Sequence, residues 1–150
     1  MFIKRRKYIS IGIIIFLIIC LSSYFFFFRK NSKFYVYQYV KQSHVALEHF
    51  AENMLKESGN TKQRKYHGWD VSIYEDINMI EFIVSEFGIG SSMMYKGFYY
   101  SPNDKPLGFQ GTDVEWQSEG NGWKWEESDG DNFEYTEKIM DKWYWFEIHF

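Results

Sequence analysis

The sequence predicts an α+β domain carried behind one membrane-spanning helix. Three observations predict it. Ile9 to Phe28 is an almost unbroken apolar run with Lys4, Arg5, Arg6 and Lys7 directly before it. Residues 33–58 carry apolar side chains at three- and four-residue spacing, the period of an amphipathic helix. From Tyr66 onward, short segments of period two alternate with Gly-, Asn-, Asp- and Pro-bearing turns, the pattern of strands.

A spanning helix needs about 20 mostly apolar residues. Ile9, Ile11, Ile13 to Ile19, Leu21 and Phe25 to Phe28 supply them. At roughly −0.3 to −0.6 kcal/mol each near the bilayer centre they outweigh Ser10, Gly12, Ser22, Ser23 and Tyr24. A cleaved signal peptide is the competing reading. Its apolar core runs about 7–15 residues and ends in small residues. This run is longer and ends in four phenylalanines, which favours an uncleaved anchor. Leu17-Ile18-Ile19-Cys20 resembles a lipobox, but Ile19 is not small, and Cys20 reads more simply as a small apolar residue. Four positive charges precede the run, against Arg29, Lys30 and Lys33 after it. The positive-inside rule therefore favours a cytoplasmic N-terminus by a narrow margin. The expected organisation is a basic cytoplasmic tail (1–7), a signal-anchor helix (8–28) in the cell membrane, and a single extracytoplasmic α+β domain (29–150).

The 150-residue chain has a net charge of −3, unevenly placed. From residue 31 onward eleven basic residues face twenty acidic ones, a net −9. Nucleic-acid binding depends on Lys and Arg neutralising phosphates, so an acidic domain argues against it. It argues equally against lying flat on an anionic membrane. A protein partner with a basic surface suits it. Solubility of an aromatic-rich domain explains the same charge without a partner. The only cysteine is Cys20, so the domain has no disulfide. The bias towards Phe, Ile, Lys, Asn and Tyr suggests AT-rich coding, as in low-GC bacteria.

The helix is expected over 33–58. Val36, Val40, Leu47, Phe50, Ala51 and Met54 form its apolar stripe, and Ser58-Gly59-Asn60 its stop. Strands follow at 67–74, 78–87, 93–100, 112–117, 123–127, 133–139 and 143–150, about six or seven in all. Ser101 to Gly108 holds both prolines and reads as a loop. Glu119-Gly120-Asn121-Gly122 reads as a hairpin turn. Short connections imply an antiparallel meander, on one face of which the helix buries its stripe. This layout resembles cystatin-like and NTF2-like folds, in which a helix packs in a curved antiparallel sheet. The resemblance is one of architecture, and such folds host many functions.

No catalytic motif stands out. His44 and His49 are five apart and share no helix face as an i,i+4 pair would. There is no H-E-x-x-H and no Cys–His zinc set. No G-x-S-x-G elbow occurs, and Gly88-Ile89-Gly90 is too short for a phosphate fingerprint. Asp129-Gly130-Asp131-Asn132 offers oxygens to Ca²⁺ but lacks EF-hand spacing, and a turn of that composition needs no metal. No cofactor is expected.

Five of six tryptophans fall late in the chain. In the last strand Tyr144, Phe146 and Ile148 share one face, and Trp143, Trp145, Glu147 and His149 the other. One helix covers one face, so the other packs under a loop or stays exposed. Cross-strand aromatic pairing accounts for these residues without a ligand. The functional expectation is an aromatic platform of Trp123, Trp125, Trp143, Trp145, Tyr99 and Tyr100, with Gly97–Tyr100 and the loop after it as a partner-facing edge. Two roles fit: a non-catalytic binding or immunity-type domain, or an envelope-acting enzyme or accessory factor with an aromatic glycan-binding groove.

Overall fold

The computed structural model describes residues 2–57 and 64–150, with side chains for 12–25, 30–57 and 64–150. The chain divides into two compact units, Met1–Tyr35 and Val36–Phe150. The first contains α1 (Phe2–Lys30) and the start of α2 (Lys33–Lys56). Ser32 caps α2, its hydroxyl oxygen accepting the Tyr35 N–H at 3.2 Å. In α1, Ile13 to Ile19 are each 52–65% exposed. Among the described residues no helix is long and apolar enough to cross a membrane. The side chains at 8–11 and 26–28, the two ends of the expected span, lie outside the described residues.

In the second unit the expected stripe is the buried face of α2: Val36, Val40, Leu47, Ala51 and Met54. Phe50 is half-buried and its ring meets Tyr66 and Phe82 at 4.5 and 6.1 Å. The stop signal at 58–60 lies outside the described residues.

One antiparallel sheet of eight strands follows: β1 (Arg64–Tyr66), β2 (Trp69–Tyr74), β3 (Met79–Ile89), β4 (Ser92–Tyr100), β5 (Gln117–Glu119), β6 (Gly122–Glu126), β7 (Phe133–Met140) and β8 (Trp143–His149). Three expectations are corrected. Among the described residues the strands number eight, not about six, because His67 and Gly68, at φ 54° and 91°, turn the chain between β1 and β2. The expected strand at 112–117 is mostly unpaired; pairing begins only at Gln117. Nor is the sheet a single meander. Its order is β1-β2-β3-β4-β8-β7-β6-β5, two four-stranded meanders joined along β4 and β8. The chain between Tyr100 and Gln117 is too long for a hairpin, so the strand that follows starts at the far edge.

Aromatic side chains hold the β4–β8 junction. Tyr99 stacks on Tyr144 at 5.2 Å, and Tyr100 meets Trp143 at 5.0 Å. Phe146 pairs with Gly97, where a Cβ would come within 2.7 Å of the Phe146 ring. Only glycine leaves room there.

Strand alternation sorts the side chains into two buried layers. On the face under α2 lie Trp69, Val71, Ile80, Phe82, Phe98, Trp143 and Trp145. Phe82 stacks on Phe98 at 4.5 Å. On the opposite face Met79, Tyr99, Tyr144, Phe146 and Ile148 form a second cluster with Phe109 and Leu107 of the 101–116 segment. That segment is the loop that covers the face away from the helix. A β-bulge at Val84 shifts the β3–β4 register from Ile83–Gly97 to Ser85–Lys96.

Candidate functional site

The six aromatic residues expected at a platform separate into two groups. Trp143, Trp145, Tyr99 and Tyr100 are 0–2% exposed and belong to the core. Moreover, Gly97–Tyr100 is not an edge: β4 is paired on both sides, by β3 and β8. Trp123 and Trp125 are half-buried on β6. Trp123 packs against the second cluster, its ring 6.3 Å from Tyr144.

The β5–β6 hairpin that carries them forms one end of the sheet, since β5 pairs only with β6. Glu115, Glu119, Glu126 and Glu127 are exposed around it. Lys124 lies between Glu119 and Glu126, bonded to both, and these partners raise its pKa, Glu126 foremost. The hairpin therefore presents half-buried indole rings on one face and, on the other, Lys124 between Glu119 and Glu126.

Two residues not singled out in the sequence lie under the 101–116 segment. Glu81 on β3 and Glu134 on β7 are both 1% exposed. Their carboxylates reach neighbouring amides of one tight turn (Phe109–Gly111). The Gln110 N–H donates to Glu81 Oε2 at 3.2 Å, and the Phe109 N–H donates to Glu134. The Tyr74 hydroxyl donates to Glu81 Oε1 at 3.4 Å. Glu134 Oε1 has no hydrogen-bond partner among the described residues. Burial pushes the Glu81 carboxyl up to about 7, against the Gln110 and Tyr74 hydrogen bonds. Burial pushes Glu134 up to about 8, opposed by the Phe109 amide and assisted by the charge of Glu81. Both acids therefore carry protons at pH values where ordinary carboxylates are ionised. The sequence held one signal for Glu81: it interrupts the apolar run from Met79 to Val84, which marks a strand covered on both faces.

The rest of the segment is fastened by similar means. The Leu107 N–H donates to the Tyr99 hydroxyl oxygen at 2.9 Å. Asp104 accepts from Lys138 Nζ at 2.6 Å, the Lys142 N–H at 2.8 Å and the Tyr144 hydroxyl at 3.1 Å. These partners, Lys138 first, hold the Asp104 carboxyl below its ordinary range. On the helix side, Glu137 accepts from both Tyr37 and Tyr135, tying α2 to β7.

Among the described residues no group of three His, Cys, Asp or Glu side chains is placed to hold a metal. The Asp129–Asn132 turn is closed by the Glu127 N–H donating to the Asn132 carbonyl at 3.0 Å. Compared with known proteins, the chain matches no family model, no curated protein and no solved structure.

Proposed function

We propose that the chain is a single-pass membrane protein whose domain stands outside the cytoplasm and binds a protein partner with a basic surface, a non-catalytic, immunity-type role. The observation that carries this reading is the β5–β6 hairpin, with Trp123 and Trp125 half-buried on one face, Glu119 and Glu126 exposed on the other, and Glu115 and Glu127 exposed beside its two strands. Aromatic rings that keep part of their surface in water are suited to contact, and acidic neighbours select a cationic partner and speed its approach. The anchor is supported by residues 9–28 and by the side chains of Ile13 to Ile19, each more than half exposed in α1. Water solvates such a surface poorly and lipid solvates it well. The cystatin-like layout belongs to the same reading: one long helix against an antiparallel sheet.

The test places a photo-crosslinking amino acid at Trp125 in cells that also carry a C-terminal tag. The expected result is loss of the tag when intact cells or protoplasts are treated with protease. It also includes a discrete crosslinked product that disappears when Glu119→Lys and Glu126→Lys reverse the charge of the hairpin. Crosslinking indifferent to that reversal would remove the binding reading. Protection of the tag until lysis would reverse the topology.

The alternative is an envelope-acting enzyme or accessory factor with an aromatic glycan-binding groove. It draws on the convergence of Glu81 and Glu134, two protonated acids at one turn, the kind of pair that acid–base chemistry uses. At 1% exposure neither reaches a substrate unless the 101–116 segment lifts. Cell-wall glycan turnover by the purified chain that vanishes in Glu134→Gln would favour this alternative.

A further inference from the structure

We infer that the tip of the β3–β4 hairpin is a second membrane contact, a small apolar foot by which the domain rests on the bilayer that anchors it. The inference rests on the anchor reading above.

The tip is apolar and exposed. Phe87 is 77% and Ile89 90% exposed, while most other large side chains of the domain are buried. From Phe87 to Tyr95 no side chain is charged. Phe87, Gly88, Ile89, Ser92, Met93, Met94 and His149 line a cavity of about 300 Å³ beside the tip. An exposed apolar feature of this kind on a folded domain marks a contact.

The bulge at Val84 aims it. Beyond the bulge Ser85 pairs with Lys96 and Phe87 with Met94, which puts Phe87 and Ile89 on the sheet face that α2 covers farther along. Helix α2 begins towards the same end of the sheet. Tyr37, near its start, bonds Glu137, whose neighbour on the same face, Tyr135, pairs with Glu147 and through it with Lys96. Glu48, farther on, bonds Tyr100 and Lys142 at the other end. The helix thus runs away from the tip, and the chain enters the unit on the tip's side. The tip lies about 20 Å beyond Lys96, at roughly 3.3 Å per strand residue.

Only Asn31 and Ser32 separate α1 from α2. Such a short tether makes any second contact with the same bilayer intramolecular, so a foot of two large side chains suffices where it would bind negligibly in free solution. Charge selects the kind of lipid surface. The β6–β7 turn, with Asp129 and Asp131, projects from the same end of the sheet, as the pairing of Phe133 with His149 and of Met94 with His149 requires. Acidic side chains there are repelled by anionic headgroups, so the contact is apolar and suits neutral lipid.

The full chain with Cys20→Ser and Ile89→Cys, labelled with an environment-sensitive fluorophore, is reconstituted into phosphatidylcholine vesicles containing a shallow spin-labelled lipid. The expected result is quenching at position 89 and none at Asn121→Cys, in the β5–β6 turn at the opposite end. A probe at Ser91→Cys is quenched likewise and loses its quenching when Phe87→Ser and Ile89→Ser are added. Equal, weak quenching at 89 and 121 in a chain that resists alkaline extraction would overturn the foot and leave the anchor intact. A chain released by alkaline wash would overturn the anchor itself. A blue-shifted probe at 89 that lipid does not quench, with disulfide crosslinking between Ile89→Cys chains, would assign the tip to a second copy instead. Quenching that requires phosphatidylglycerol would also overturn the apolar contact.

Discussion

The two faces of the sheet are both buried, yet they are built from different chemistry. Under α2 the layer is almost wholly apolar, with Phe82, Phe98, Trp143 and Trp145 at its centre. Under the 101–116 segment the layer includes Glu81, Glu134, Thr136 and the hydroxyl of Tyr99. The covering elements explain the contrast. A helix satisfies its own backbone N–H and C=O groups, so it can lie on hydrocarbon. An irregular segment cannot, and every buried amide in it needs an acceptor. Leu107, Phe109 and Gln110 find theirs in Tyr99, Glu134 and Glu81, side chains of the sheet itself. A face roofed by a loop must therefore be partly polar.

The strongest way to break the symmetry of the two faces is pH. Glu81 and Glu134 hold their protons to about 7 and about 8 in the folded chain, whereas an unfolded Glu releases its proton near 4.5. Between these values the folded state binds more protons, so stability is full below about pH 4.5 and falls as pH rises through 7 and 8. At about 1.4 kcal/mol per unit of pKa, the combined loss by pH 9 is on the order of 5–8 kcal/mol. Denaturant titrations from pH 5 to 9 measure it. Glu134→Gln should flatten the curve and stabilise the chain above pH 8. A wild-type stability independent of pH across this window would mean that the loop-covered face does not keep its acids neutral.

A truncation on the helix side should be severe and insensitive to pH. Phe82→Ala removes a fully buried ring stacked on Phe98 and should cost about 3–5 kcal/mol by denaturant titration, equally at pH 5 and pH 9. The smallest effect belongs to a single loop fastening. Tyr99→Phe keeps the stacked ring but leaves the Leu107 amide and the Thr136 hydroxyl short of a partner. A loss of about 1–3 kcal/mol is expected, with faster amide exchange at Leu107 than at Val40. If exchange rose equally at both positions, the two layers would be one cooperative unit.

What the sequence discloses follows the same division. The helix was legible because its apolar residues repeat with its own period, and Val36, Val40, Leu47, Ala51 and Met54 all point inward. Strands β3, β4, β7 and β8 were legible to within a few residues for the same reason. The order of the sheet was not, because nothing local to Tyr100 states that the next partner along the sheet is Trp143 rather than Gln117. The hairpin at His67-Gly68 was missed although Gly at a positive φ is its ordinary signal. The tryptophans misled in part: Trp143 and Trp145 alternate like surface-facing residues of a last strand, but β8 is central and its two faces are both roofed. Glu81 and Glu134 were unreadable as a pair, since they lie 53 residues apart and meet only through the amides of a segment with no regular structure.

The extra residue at Val84 has a consequence for how this chain tolerates insertions and deletions. Facing in a strand is a matter of parity. Upstream of the bulge the even-numbered residues Ile80 and Phe82 point to α2; downstream it is the odd-numbered Phe87 that shares its row with Met94. Straightening the strand there with every residue kept would exchange the outlook of Phe87 and Ile89 with that of Glu86 and Gly88, whereas deleting Val84 would join the Ile83–Gly97 and Ser85–Lys96 pairs directly and leave Phe87 opposite Met94. The character of the hairpin tip is thus set by the bulge as much as by the identity of its residues. The bulge is for that reason a place where one residue can be lost without changing the surface chemistry of the tip.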